Sequence, residues 1–143
     1  MDDRAFLLDT MVFSALSVRD RRELRQLYRP HVEGRRIVLS VQTVAEVRFG
    51  ALDAGWGEQR RRELEERIAK VTMAAITDHV ISVYARLKQQ LKAAGHGLGQ
   101  KIHDGDRWIA ATAVANELPL VTHDRAFQDV EGLKLITEIP DAT

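Results

Sequence analysis

The chain contains no cysteine. Disulfide scaffolds and thiolate zinc sites are both excluded, and a reducing compartment, the cytoplasm, is the expected location. Net charge is also lacking, because 21 basic side chains balance 21 acidic ones. A protein that coats nucleic acid through its global field carries a large positive excess. Any nucleic-acid contact here must use a local patch. No apolar run approaches the roughly 18 residues of a membrane span. The start, Met1-Asp2-Asp3-Arg4, is acidic first and lacks the long apolar stretch of a signal peptide. What is present is ordinary globular composition: 143 residues, 45% hydrophobic and 29% charged. That length can bury a real core as one domain over 1–143. No internal repeat, low-complexity tract or linker divides it.

The basic residues are unevenly chosen: sixteen are Arg and five are Lys. Arg19 to Arg36 holds seven Arg against three acids, whereas the last fifteen residues hold four acids and one Lys. Guanidinium forks suit phosphate. Arg19, Arg21, Arg22 and Arg25 follow closely on the first apolar run, so they are candidates to grip a polyanion, against the plainer reading of a solvated helix face.

Ala5-Phe6-Leu7-Leu8 is a short apolar run that stops at Asp9 and reads as a buried strand. A helix is expected from roughly Asp20 to Val32, with Leu24, Leu27 and Tyr28 on one face. Arg36-Ile37-Val38-Leu39 is a second strand. Ser40 can cap a helix from Val41 to about Ala54, and Glu58 to Val71 looks like a charged helix carrying Leu64 and Ile68. Asp78 can cap another, with Ile81, Tyr84, Leu87 and Leu91 at helical spacing. The glycines of Gly95-His96-Gly97-Leu98-Gly99 break it. A small-residue helix follows from about Gly105 to Glu117. Leu120-Val121-Thr122 and Leu133 to Thr137 read as two closing strands. Strands this short and this continuously apolar are covered on both faces, which predicts an α/β chain: a three-layer α/β/α sandwich around a short, mostly parallel sheet.

In such a sheet, ligands bind at the carboxyl ends of the strands. Asp9 directly follows the first strand and Asp124 closely follows Leu120-Val121-Thr122; each alone reads equally as a turn former or cap. With Ala45, Phe49 and Leu52 as the apolar stripe, Glu46 falls about 90° from its centre, at the rim. Asp106 points along the core-facing stripe of its helix, at the first turn. An inward carboxylate without a partner is costly, and a helix N-terminus offsets only about 0.3–1 kcal/mol. Asp104 is either that helix's N-cap or a further residue of the site. Three or four carboxylates around one cleft mouth require a compensating cation, and hard oxygen donors select Mg²⁺ or Mn²⁺.

Four segments carry a resemblance: Leu7-Leu8-Asp9-Thr10, Thr43 to Ala51, Asp106 to Ala113, and Leu120 to Phe127. In this order and spacing they resemble the PIN-domain ribonucleases, and more narrowly the VapC-type toxins of type II toxin–antitoxin modules. The resemblance implies that Asp9, Glu46, Asp106 and Asp124 hold Mg²⁺ or Mn²⁺, with the hydroxyls of Thr10 and Thr122 beside them. It implies an endoribonuclease that cuts RNA with metal-activated water and leaves 5′-phosphate and 3′-hydroxyl ends. It implies restraint by a small VapB-like antitoxin. Met11 and Ala126 depart from the family pattern. The sequence offers the antitoxin a groove at Phe49, Leu52 and Trp56, against the plainer reading that these residues pack under the next helix. It offers a homodimer the second stripe of the Asp106 helix, Trp108, Ala111, Thr112 and Ala115, a face that the Asp78–Leu91 helix could cover instead.

Other readings are weaker. His103-Asp104 invites a helical phosphohydrolase, which the strand–helix alternation contradicts. The glycine run at 95–99 follows a helix rather than a strand, unlike a phosphate loop. Asp9-Thr10 lacks the second Asp of an aspartyl phosphatase. His31, His79, His96 and His123 show no metal-ligand spacing. The alternative from another class is a non-catalytic PIN-like module that binds RNA or protein; it predicts loss of one or more acids, and none is lost.

Overall fold

A computed structural model describes residues 4–17 and 21–140. In chain order the elements are β1 (Ala5–Leu8), α1 (Thr10–Ser17), α2 (Arg22–Val32), β2 (Arg36–Ser40), α3 (Val41–Asp53) and α4 (Glu58–Ala69). They continue with β3 (Thr72–Ala74), α5 (Asp78–Ala93), α6 (Asp104–Ala115), β4 (Leu120–Val121) and β5 (Leu135–Ile136). Short 3₁₀ turns lie at 97–99, 101–103 and 125–127.

Successive side chains of a strand point to opposite faces, and β1 shows why two layers of helix are needed. Leu7 enters a core with Val38, Leu120, Ile109 and the α5 residues Val80, Val83, Leu87 and Leu91. Its neighbours Phe6 and Leu8 enter the other core, with Leu39, Val121 and residues of α1, α2, α3 and α4. Fully burying one such side chain is worth about 1.5–3 kcal/mol, so a strand apolar on both faces is stable only between two helical layers. All pairings are parallel and the strand order is β3-β2-β1-β4-β5. The chain leaves β1 in one direction for β2 and β3, then returns to the other side for β4. The order therefore reverses between β1 and β4, which makes a crevice at their carboxyl ends. The three-layer parallel α/β sandwich expected from the sequence is the fold observed.

Several elements differ from expectation. α1 was not anticipated. At eight residues it is too short to be helical by itself, and it is held by burial of Val12, Phe13 and Ala15. β3 is a three-residue edge strand with Thr72 and Met73 exposed, so it lacks the apolar run that marks the others. In α2, Tyr28 is buried but Leu27 is exposed. The buried face of α3 is Val44, Val47 and Ala51 rather than Ala45, Phe49 and Leu52, which lie outside; Phe49 is 65% exposed. In α5, Val80 and Val83 are buried and Ile81 is exposed. Its cap is Thr77, whose hydroxyl accepts from Val80 N at 3.2 Å, with Asp78 in the first turn. Ser40 caps α3 as expected, accepting from Thr43 N at 3.0 Å.

α6 is buried on two sides, as its two small-residue stripes predicted, but the second side is covered from within the chain. α5 packs along it, and Tyr84 stacks on Trp108 with ring centroids 3.9 Å apart. Ala111 and Thr112 have almost no exposed surface. Of the stripe expected to meet a second protomer, Ala111 and Thr112 are thus covered from within the chain, while Trp108 and Ala115 keep partial exposure. Among the described residues, no helix is long and apolar enough to cross a membrane.

Candidate active site

The crevice between β1 and β4 receives a carboxylate from each of four segments. Asp9 is 3% exposed. Its Oδ1 accepts from Val12 N at 2.8 Å, which caps α1, and its Oδ2 accepts from the Thr122 hydroxyl. Asp124 turns the chain after β4: its amide donates to Thr122 Oγ1 at 3.0 Å and its Oδ1 accepts from Ala126 N at 2.9 Å. Both aspartates are therefore caps, as their plainer reading held, and both also face the crevice. The two roles are compatible because each carboxylate oxygen has two lone pairs.

Glu46 reaches in from α3. Its Oε1 accepts from Gln42 Nε2 at 2.9 Å and its Oε2 from the Thr10 hydroxyl, which also lies 3.2 Å from Thr43 Oγ1. The start of α6 comes down directly beside it. A Cβ at Gly105 would stand 2.9 Å from Glu46 Oε1 and 2.8 Å from Gln42 Nε2, so a larger residue there would displace these two side-chain ends. Asp106, in the first turn of α6, is half-buried, and its Oδ2 lies 3.0 Å from His103 Nδ1.

Burial pushes the Asp9 carboxyl up to about 6; the bonds from Thr122 and Val12 pull it down, and the charges of Asp124 and Asp106 push it up again. Burial likewise raises Asp106; His103 lowers it, and Asp124 and Glu46 raise it. Each of the four acids is thus within electrostatic reach of another, and their hydrogen-bond partners are hydroxyls, amides and one imidazole. Such an all-oxygen, negatively charged donor set fits a hard divalent cation. Among the described residues, no group of three or more acidic or histidine side chains is placed so as to hold a metal ion.

Asp104 is not the cap of α6, a position that falls to His103. It is the first helical residue, and its Oδ1 accepts from the Tyr84 hydroxyl and from Arg107 at 3.2 Å. Arg107, 1% exposed, also donates to the carbonyls of Leu98 and Gln100. It ties the glycine-rich loop to the helix that bears Asp106. Sequence reasoning missed Arg107, Gly105, Gln42, Thr43 and His103. Proximity to Asp106 in the chain was the one signal available for His103 and Arg107.

Of the basic candidates, Arg21 is exposed, and Arg22 and Arg25 line a shallow hollow on α2 with Gln26, Arg29, Pro30 and Glu33. None of the four acids lines that hollow. Arg19 lies outside the described residues. Arg125 stands next to Asp124 and shares a hollow with Met11, His123, Ile139 and Pro140; it was not singled out in the sequence. Trp56 lines a cavity of about 220 Å³ with Thr10, Phe13, Glu46, Val47 and Leu64, so this groove opens beside the cleft. Phe49 and Leu52, expected in the groove, are not among its lining residues.

A parallel sheet with an acidic crevice at the β1/β4 reversal is the arrangement of a PIN domain, and the PIN-domain family model matches residues 6–133. Ribonuclease VapC5 of Mycobacterium tuberculosis is 31% identical over 130 residues, which cover 90% of this chain and 89% of that protein. VapC ribonuclease Y4jK of Sinorhizobium fredii is 33% identical, covering 91% and 94%. The chain belongs to the PIN-domain family, in its VapC branch. Among solved structures, VapBC-5 of M. tuberculosis aligns at 27% identity with a TM-score of 0.65, over 93% of this chain and 98% of that one. VapBC2 of Rickettsia felis, solved with a promoter DNA fragment, aligns over the same shares at 20% identity with a TM-score of 0.77, which speaks to the fold.

Proposed function

We propose that this protein is an endoribonuclease toxin that requires Mg²⁺ or Mn²⁺ and is neutralised by a VapB-like antitoxin. The observation that carries the reading is the meeting of Asp9, Glu46, Asp106 and Asp124, from four separate segments, at the sheet's reversal point. Asp9 and Asp106 both have raised carboxyl pKa values there. The four acids are the proposed metal ligands, direct or through water, and Thr10 and Thr122 orient Glu46 and Asp9. When bound, a divalent cation lowers the pKa of a coordinated water and draws charge from the scissile phosphate. The residues themselves do the rest. Asp9 and Asp124 are fixed by their capping bonds, Gln42 and Thr10 hold Glu46, and His103 holds one oxygen of Asp106, so the donor set is oriented before substrate arrives. No side chain is then needed as general base.

RNA is the proposed substrate, and Arg21, Arg22, Arg25 and Arg125 are the described candidates for its phosphates. The groove at Trp56 is the proposed seat of the antitoxin segment, because an apolar helix face laid there brings its neighbouring side chains to Glu46. A homodimer belongs to the reading as well, with sedimentation as its measure, but without Ala111 as a contact. One domain over 1–143 and the cytoplasm complete it.

The test is cleavage of RNA with and without Mg²⁺ or Mn²⁺. We expect metal-dependent products with 5′-phosphate ends that Asp9→Ala abolishes. Products ending in 2′,3′-cyclic phosphate would overturn the mechanism. Retained RNA binding without cleavage would assign the chain to the non-catalytic modules.

A further inference from the structure

Tyr28 belongs to α2, an element that contributes no acid to the cleft, yet it is fully buried and its hydroxyl is the most connected polar atom near the site. The hydroxyl donates to the Thr122 carbonyl at 3.0 Å and accepts from Glu138 N at 2.9 Å. It also lies 2.8 Å from His123 Nδ1 and 3.3 Å from Thr137 Oγ1. The ring is wedged in the core with Phe6, Leu8 and Val121 and meets the His123 ring edge-on. One atom thus joins α2, the segment after β4 and the segment after β5.

Thr122 is where this connection reaches the site. Its amide donates to Ile136 O at 3.1 Å, its hydroxyl donates to Asp9 and accepts from the Asp124 amide, and its carbonyl takes the Tyr28 proton. Thr122 has no exposed surface. A buried carbonyl deprived of its donor is costly, so removal of the phenol hydroxyl favours rotation of the 122–123 peptide. That rotation would move the hydroxyl that holds Asp9 and the amide that begins the turn to Asp124.

We infer that Tyr28 is a positioning residue of the nuclease site: its hydroxyl fixes the Thr122 backbone, and thereby the Thr122 hydroxyl on Asp9 and the turn that presents Asp124. The inference rests on the proposed nuclease reading. It follows from bonds, not from sequence motif, since Tyr28 precedes the residue it holds by 94 positions.

Tyr28→Phe, Thr122→Val and the double variant test it. Tyr28→Phe keeps the ring, so we expect a folded chain with a cooperative melt. In the metal-free protein its Thr122 and Asp124 amide resonances should shift. Its kcat should fall about tenfold with little change in KM, the size typical of groups that orient metal ligands. The double variant should cleave no more slowly than Thr122→Val alone, because Tyr28 acts through that hydroxyl. The inference is overturned by a Tyr28→Phe chain that cleaves at the wild-type rate, by an unmoved Asp124 amide, or by losses that multiply in the double variant. A Tyr28→Phe chain that does not fold also overturns it, since the hydroxyl then serves the fold. Wild-type protein that cuts no RNA with any divalent cation refutes the nuclease reading instead, and the metal-free amide shifts still decide whether Tyr28 places Thr122.

Discussion

At the scale of single residues, Asp9 sets the electrostatic tension of the site. Its folded pKa of about 6 lies above the ordinary value of 3.8, with burial as the main cause. The native state therefore holds this proton more tightly than the unfolded state does. Below the ordinary value the residue has no effect on stability; its penalty grows as pH rises through the interval to about 6 and is complete above it, of order 3 kcal/mol. Asp9→Asn should stabilise the metal-free protein at about pH 7.5, and the gain should vanish near pH 4, as chemical denaturation at the two pH values will show. Asp106 is only half-buried and leaves no cavity when changed. Asp106→Asn should keep the melting temperature within a few degrees. It should lower RNA cleavage by more than about 100-fold, beyond what loss of an outer partner costs.

At the scale of elements, the site depends on how the start of α6 is held. Arg107 binds the Leu98 and Gln100 carbonyls and Asp104, and its guanidinium lies 5.9 Å from the centre of the Tyr84 ring. Replacing it with Met removes the donors to the buried Leu98 carbonyl and to the part-buried Gln100 carbonyl. Arg107→Met should cost about 3 kcal/mol in urea unfolding, and hydrogen exchange should speed up first in residues 97–103. The α3–α4 groove is a second dependence. Trp56 lines it, with Arg60 stacked 3.8 Å from its ring centre, while Phe49 and Leu52 point away. Trp56→Ala should weaken capture of the co-expressed antitoxin by about tenfold or more, the loss expected of a buried aromatic anchor. Phe49→Ala should leave it unchanged. Pull-down from the co-expressing cell checks both.

At the scale of the whole molecule, the proposed metal ligands come from the segment after β1, from α3, from α6 and from the segment after β4, so metal binding would be linked to the fold. A cation that binds the native cleft and not the unfolded chain stabilises the whole domain by mass action. Mn²⁺ should raise the melting temperature, more at about pH 7.5 than at pH 5, since Asp9, its carboxyl pushed up to about 6, must lose its proton to take the cation. Asp106→Asn should remove most of that rise; calorimetry at both pH values measures it.

The sequence by itself determined the strand Ala5–Leu8, four of the five residues of the strand Arg36–Ser40 and the cap at Ser40, and it nominated the four acids. Strands buried on both faces must be continuously apolar, caps must carry an acceptor, Asp9 and Asp124 stand out beside strand ends, and Glu46 and Asp106 stand out by their angle on a helix. Tertiary structure decided the rest. α3 offers two apolar faces, Ala45/Phe49/Leu52 and Val44/Val47/Ala51, and helical period cannot choose between them; the position of the sheet does. α1 is helical because Asp9 caps it and the core receives Phe13, not because eight residues prefer that state. Asp104 prefers a buried guanidinium three residues away to the role of cap. Tyr28, Arg107 and Gly105 acquire their roles only through partners distant in the chain or through a close approach of two helices, since hydrogen bonds of this kind are fixed by packing and leave no periodic trace.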